Sequence, residues 1–537
     1  MGGTRGTDGT DGETLHQTDP RGGQGDQGGD PAWGYPRIVG EEYATQRTRI
    51  RVGSDLPAIV AAAGDALVEH GQTYQRGARL VDVLRTPDGP VIRGLGPASL
   101  RLVLARAADW CRVQADAEGG TRLVLIQPPS DVALAVCEAG AWPVPSLAGI
   151  SSGPLVRPDG TVASAAGYDP MTRWWSEADP SDWIPDPSTL CREVADVALD
   201  ELRDLLRDYP VATQADRSSM LSGLLTAVAR TAIVGPVPLH LIHATTPGSG
   251  KTLWVDVVSL IATGSHAARM PPSDDEDEER KRITSILLSG APVVLIDNVS
   301  GAVGSTALDA MLTASVWTDR VLGSSEMIRL PVTCSIYATG NNVSVRGDLA
   351  RRTIPARLEP TEERPEARAD LPDLEALART DRARLLRSAL TVVLSYLREP
   401  ERIDCRTIGS YSAWSRVARE PLIWLGMADP LEAQDALRGI ADYAVDVAGV
   451  ILSAVHAVWG DAPWTAREIA SREGDVRAAI EEAGLTKGRD VDARGLGYWL
   501  RRTRGRVVGG LVLDVAVKGH DGIRRWRIRR SVTTGDL

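Results

Sequence analysis

Between two apolar runs lies TTPGSGKT, Thr245 to Thr252, preceded by PLHLIHA and followed by LWVDVVSLIATG. Thr246, Pro247, Gly248, Ser249 and Gly250 form a turn whose small residues let backbone N–H groups point at an anion. Lys251 adds a mobile positive charge, and Thr252 a hydroxyl suited to a hard cation. That is the chemistry of a triphosphate held with Mg²⁺. The flanking patterns predict a buried strand, a Gly-rich turn and an amphipathic helix, so the anion meets a helix N-terminus. Thr245 stands where the pattern GxxxxGK[ST] has its first glycine.

Asp297 lies 46 residues past Lys251, at the end of APVVLIDN. An apolar strand ending in a carboxylate delivers it to the sheet edge where the phosphates sit, so Asp297 and Thr252 are the expected Mg²⁺ holders. Asn298 follows, where a second carboxylate would serve as base for an attacking water. Either another carboxylate does this, with Glu276, Glu278 and Glu279 of the run SDDEDEERKR as candidates, or Asn298 orients the water. That run also reads as a solvated charge cluster. TCSIYATGNN predicts a further strand that ends at Asn341 and Asn342, an amide placed to touch a γ-phosphate. Ten residues past Asn341 come Arg351 and Arg352, whose guanidinium forks suit a phosphoryl transition state or, equally, a salt bridge.

The order TTPGSGKT, VVLIDN, YATGNN, DLARR resembles the Walker A, Walker B, sensor 1 and arginine-finger series of superfamily 3 and AAA+ helicase ATPases. LDAMLTASVWTDRVLG and YSAWSRVAREPLIWLG, within residues 238 to 430, are similar to primase-helicase proteins of phages and integrative elements. The resemblance implies ATP and Mg²⁺ as cofactors and Asn341 as sensor 1. It also implies an arginine finger, Arg351 or Arg352, acting on a neighbouring subunit, hence a homo-oligomeric ring, a hexamer. The implied activity is replicative or origin-opening unwinding of single-stranded or forked DNA, with primase or replication proteins as partners. A loader that unwinds nothing, an ATP-switched DNA-binding initiator and a true primase-helicase are the other readings. The last lacks zinc-ribbon cysteines and a paired-carboxylate motif.

The C-terminal segment from Trp464 predicts two or three short helices and two strands joined through KGHDG, a winged helix-turn-helix. Arg501, Arg502, Arg504 and Arg506 would face DNA phosphates from the recognition helix. Lys518 and His520 would sit in the wing, flanked by Arg524, Arg525, Arg527 and Arg529. The same fold used for protein contacts is the alternative. Between Arg494 and Arg530 there are 11 Lys/Arg against 2 Asp/Glu, while the whole chain carries −11. A basic end on an acidic body excludes a protein that coats nucleic acid with its entire surface.

These elements need a scaffold, and 537 residues, 43% hydrophobic and 24% charged, supply a large core. Phe is absent, so Trp, Tyr and aliphatics must fill it. The expected fold class is α/β: a P-loop NTPase core with an N-terminal α+β domain and a C-terminal winged helix. Residues 1–36 read as a disordered Gly-rich tail, 37–187 as the α+β domain, and 188–237 as a helical connector. Residues 238–360 read as the ATPase core, 361–462 as helical, 463–530 as the winged helix, and 531–537 as a tail. In the α+β domain SLRLVLARAADWCRV predicts one helix, and Asp159, Tyr168 and Asp169 are turn-formers that could contact a ligand. Five scattered cysteines without a CxxC pair argue against a zinc ribbon or disulfide framework. No apolar run reaches the ~18 residues of a membrane span, and the opening MGGTRGTDGTDGETLH lacks a secretory signal; the expected setting is cytoplasmic, with no membrane partner.

Overall fold

A computed structural model describes residues 47–86, 89–115, 120–163, 165–177, 183–273, 275–320, 327–345, 347–362, 364–365, 372–488, 490–505, 507–516 and 524–530. Chain contacts separate Met1–Arg47 from Thr48–Leu537, and the elements of the fold belong to the latter. The expectations for residues 1–36, Arg506, Lys518, His520 and 531–537 lie outside the described residues.

The first part of the chain is mixed. Strand Thr48–Arg51 runs parallel to Ala108–Ala115, which pairs antiparallel with Thr121–Leu125. Helices Leu56–His70, Pro97–Ala107 and Ser130–Glu138 bury Leu67, Leu104 and Val136 around them. The single helix expected through SLRLVLARAADWCRV ends at Ala107, and ADWCRV continues as strand. Pairing with Thr48–Arg51 overrides local helix propensity, and buried Trp110 donates its Nε1–H back to Leu104 O at 2.9 Å. Asp159, Tyr168 and Asp169 are occupied structurally. Asp159 accepts from Thr161 N at 2.9 Å, Tyr168 stacks on Tyr74 at 5.3 Å, and Asp169 pairs with Arg157 at 2.6 Å.

The centre is a parallel sheet. Its elements are β1 (Leu239–Ala244), α1 (Lys251–Thr263), β2 (Ala268–Met270), α2 (Glu276–Ser289), β3 (Val293–Val303), β4 (Ser335–Val345) and β5 (Thr353–Leu358). The five strands are ordered β2-β3-β4-β1-β5. Strands buried on both faces read as continuous apolar runs, as LHLI and VVLI do. Alternation splits their side chains between two cores. Ile242, Leu295 and Tyr337 join the helices Arg192–Asp204, Gln214–Val228, α1 and Arg382–Leu397. Leu241, Val294, Ile296 and Ile336 join α2 and the hairpin Val316–Arg320/Met327–Pro331 on the other face.

The acidic run after Ser273 forms the start of α2, with Asp275, Glu276 and Asp277 exposed to solvent. Asp275 caps it, accepting from Glu278 N at 3.0 Å, and Glu276 to Glu279 fill its first turn, where the helix dipole favours negative charge.

Helix Pro430–Trp459, 30 residues and about 45 Å long, spans from the central sheet to the C-terminal segment. Leu437 joins the sheet's core, whereas Ile451, Leu452 and Val455 pack with Trp464, Leu496, Leu513, Trp526 and Ile528. That segment holds helices Ala466–Ala470, Asp475–Glu482 and Ala493–Thr503 beside a four-stranded antiparallel sheet. The molecule is thus mixed α/β, and among the described residues no helix is long and apolar enough to cross a membrane.

Candidate functional site

The turn after β1 is built on left-handed backbone: Gly248 has φ 73° and Gly250 φ 80°. A side chain at Gly250 would also meet the Tyr209 ring at 3.0 Å, so glycine is required there twice over. Ser249 Oγ donates to Thr246 O at 2.5 Å and Lys251 Nζ to the same carbonyl at 3.3 Å, folding the turn over itself. Lys251 is buried at 8% exposure; burial pulls its pKa down, and the charge of Asp297 acts in the opposite direction.

Asp297 faces this turn from β3. Its Oδ1 accepts from Thr252 Oγ1 at 2.8 Å and from Thr339 Oγ1 at 2.6 Å, and its Oδ2 pairs with Arg269 Nη1 at 2.7 Å. Burial alone would raise this carboxyl, but the bonds from Thr339 and Thr252 and the Arg269 charge outweigh it and hold it below the usual range. The carboxylate sits on a β-bulge. The β3–β4 register shifts between Ile296 and Val299, and Asn298 takes the left-handed conformation with φ 57°. Gly340 makes the bulge fit, since a Cβ there would lie 2.4 Å from Val299 O. Asn298 is exposed, and its N–H donates to Thr339 Oγ1 at 3.2 Å.

Asn341 is level with Ala244, the last residue of β1, through the β1–β4 pairing. Its Oδ1 is buried with no hydrogen-bond partner among the described residues. A buried orphan acceptor at the root of a phosphate-sized turn is costly unless something binds there. Beside the turn, a cavity of about 230 Å³ is lined by Tyr209, Pro210, Gly248, Gly250, Leu253 and Leu374. Its wall is mostly apolar, with Asp208 and Ser249 also lining it. The Tyr209 Oη is itself buried without a hydrogen bond among the described residues, and burial drives its pKa upward, followed by the charges of Asp256 and Glu375.

Thr252, Asp297 and Lys251 are thus gathered with Asn341 at one end of the sheet, where the Thr252 hydroxyl and the Asp297 carboxylate offer the hard oxygens that suit Mg²⁺. Arg351 and Arg352 are not. Thr353, next to Arg352, pairs with Leu239, five residues before Ala244. At about 3.3 Å per residue the two arginines lie about 17 Å from the turn along the strand, too far to serve it in the same chain. Arg352 is tied to Asp348 and Asp309 instead, and Arg351 to Asp348. Among the candidate bases, Glu278 is bound to Lys281 and Arg282, and Glu279 is buried in α2.

Sequence reasoning missed Thr339, Arg269 and Asp256. Thr339 was findable, since it stands two residues before Asn341 and so on the same strand face. Asp256 lies four residues past Thr252 on one helix face, and its Oδ2 takes the other arm of Arg269 at 2.7 Å. Arg269 itself has no sequence signal. Asp256, His266 and Glu375 place ligand atoms within 4.8 Å of one another. Arg269 and Arg379 already serve that group, the latter 2.9 Å from His266 Nε2, which makes it an ion-pair network.

In the C-terminal segment Arg525, Arg527 and Arg529 alternate outward with buried Trp526 and Ile528. Arg501 is exposed on helix Ala493–Thr503, which also carries the Arg502 backbone. Arg504 lies 3.6 Å from Asp514, and Arg524 sits over the Trp526 ring at 5.9 Å.

A comparison with family models found no match, and neither did one with curated proteins. Among solved structures, the apo C-terminal region of NrS-1 is 11% identical, with 88% of this chain and 98% of that one covered, at a TM-score of 0.37. The active helicase Cch of SCCmec type IV is 11% identical over 80% of this chain and 99% of that one, at 0.28. JCV helicase is 13% identical over 44% and 58%, at 0.22. All three scores are low, and the functional reading of the site rests on this chain's own residues.

Proposed function

We propose that this protein is an ATP-driven motor on DNA, a helicase with a P-loop core of the AAA+/superfamily 3 kind and a C-terminal winged helix. The observation that carries the reading is the 2.8 Å bond between Thr252 and Asp297 beside buried Lys251, at a left-handed glycine turn joining a parallel strand to a helix.

Mg²⁺-ATP would supply the scissile phosphoanhydride. The turn's N–H groups and Lys251 bind and orient the phosphates. Thr252 and Asp297 would hold the cation, Arg269 yielding its bond to Asp297. Asn341 would accept from the attacking water through Oδ1 or donate its amide N–H to the terminal phosphate. Tyr209, Leu253 and Leu374 exclude water from the base. Because Arg351 and Arg352 stand far from the turn of their own chain, a finger role requires a second copy, which favours a ring such as a hexamer. Exposed arginines on the C-terminal strand and helix would track DNA phosphates.

A second reading, an initiator that uses ATP only as a switch, is favoured by one observation: the residue after Asp297 is an exposed amide, Asn298, that cannot take a proton from water. ATP turnover measured with and without single-stranded and forked DNA, together with strand displacement, separates the two. DNA-stimulated turnover with displacement is expected of the motor. Slow, DNA-indifferent turnover with ATP-dependent DNA affinity belongs to the switch. Absence of nucleotide binding by calorimetry defeats both.

A further inference from the structure

The turn that precedes β5 lines a second cavity, about 460 Å³, to whose wall four arginines contribute: Arg351, Arg352, Arg406 and Arg438. Its remaining wall includes Ser410 and Gln434, and no carboxylate of the described residues lines it. Leu431, Gln434 and Arg438 come from one face of helix Pro430–Trp459, spaced by three and four residues. The wall is held firmly. Gln434 Nε2 donates to Arg351 O at 3.1 Å and to Thr353 O at 2.8 Å, and Tyr411 Oη donates to Leu312 O at 3.1 Å.

The charges in this space are unevenly met. Asp348 and Asp309 hold Arg351 and Arg352 from behind. Asp435 meets Arg406 at 2.7 Å in a pair half exposed on both sides, an interaction that holds weakly in water. Arg438 is exposed on helix Pro430–Trp459. Asp309, Asp348 and Asp435 offset much of this charge, but all three stand outside the lining, which leaves the wall of the cavity itself cationic. Guanidinium forks fit the oxygens of phosphate best.

We propose that this cavity is a receptor for phosphate oxyanions, in which Arg406 and Arg438 contact the ligand directly alongside Arg351 and Arg352. The phosphate comes either from the nucleotide held by a second copy of the chain, a source that rests on the motor reading, or from a free phosphate-bearing ligand. Arg406 and Arg438 lie outside the strand-end motifs, and only the fold brings them beside Arg351 and Arg352.

The test titrates inorganic pyrophosphate calorimetrically into the full chain carrying Lys251→Ala, whose turn has lost its phosphate-reaching amine. A binding event that weakens at least tenfold on adding Arg406→Gln and Arg438→Gln is expected. Both side chains are exposed, so the melting temperature should hold and serves as the folding control. No binding, or binding indifferent to the two substitutions, overturns the proposal. In the otherwise native chain, Arg406→Gln with Arg438→Gln should leave ATP affinity unchanged and lower turnover about tenfold. Recovery on mixing with Lys251→Ala chains assigns the phosphate to the nucleotide of a second copy. Unaltered turnover with pyrophosphate binding lost assigns it to a free ligand. A native chain that binds no ATP, yet whose pyrophosphate affinity still depends on Arg406 and Arg438, defeats the motor reading and leaves this cavity standing.

Discussion

Arg269 Nη1 bonds Asp297 Oδ2 at 2.7 Å, while its Nη2 bonds Asp256 Oδ2 at the same distance. One guanidinium therefore bridges the carboxylate facing the glycine turn and a buried carboxylate on α1, offsetting one of their two negative charges. A divalent cation at Asp297 would compete with that arm.

Arg269→Gln should accordingly lower the Mg²⁺ concentration needed for half-maximal turnover several-fold. It should also cost about 1–3 kcal/mol of stability, because Asp256, only 4% exposed, loses its charged partner. Urea denaturation and a Mg²⁺ titration of ATP turnover read the two effects separately. A higher Mg²⁺ requirement would show that Arg269 assists the cation instead of competing with it.

Lys251→Ala should reduce ATP turnover by a factor of about 10²–10³, the scale of losing one charge aimed at a phosphoryl transition state. The fold should persist, since the amine's contact in the free protein is the Thr246 carbonyl. Turnover and circular dichroism on the same preparation check both parts.

Gly340→Ala places a methyl 2.4 Å from the Val299 carbonyl oxygen, and backbone cannot step aside as a flexible side chain can. A loss of about 3 kcal/mol in chemical denaturation is expected, with the bulge that presents Asp297 displaced. Gly439→Ala, on an exposed stretch of helix Pro430–Trp459 with open space around the added methyl, is the control and should be neutral or stabilising by up to about 1 kcal/mol.

Acid should weaken the protein through Asp429. Burial raises this carboxyl, but the hydrogen bonds from Arg419 prevail and hold it below the usual range. A depressed folded-state value means that the stabilisation is fully present above the unfolded value near 3.8 and is lost as pH falls through the lower folded one. Because Arg419 is fully buried, Asp429→Asn should cost about 3 kcal/mol at pH 7 and flatten the acid limb of the stability profile. Thermal melts between neutral pH and pH 2 test this.

DNA affinity should fall with salt, and Arg501→Gln combined with Arg527→Gln should reduce the slope of log K against log[salt] by about 0.9 for each phosphate contact removed. Fluorescence anisotropy on duplex and forked DNA measures it. An unchanged slope would favour a C-terminal segment that contacts protein.

The strand, turn and helix around Lys251 were legible because every cue is local: an apolar run, glycines at the turn, then helical spacing. Asp297 and Asn341 were legible as polar residues after apolar runs, but not as strand ends: β3 continues to Val303 and β4 to Val345, because the two strands go on pairing with each other beyond the carboxylate. The break at Ala107 was not, because pairing with Thr48–Arg51, some sixty residues earlier, outweighs the local pattern. Nor was the carboxylate's neighbourhood. Thr339 and Arg269 reach Asp297 across strands that are adjacent only in the folded sheet. The register of β5 on β1 separates Arg351 and Arg352 from the turn, and the path of helix Pro430–Trp459 carries Arg438 to them. Backbone preference and side-chain period act over a few residues and so can be read along a chain. Pairing register and charge compensation depend on which distant segments share a core, and packing settles that.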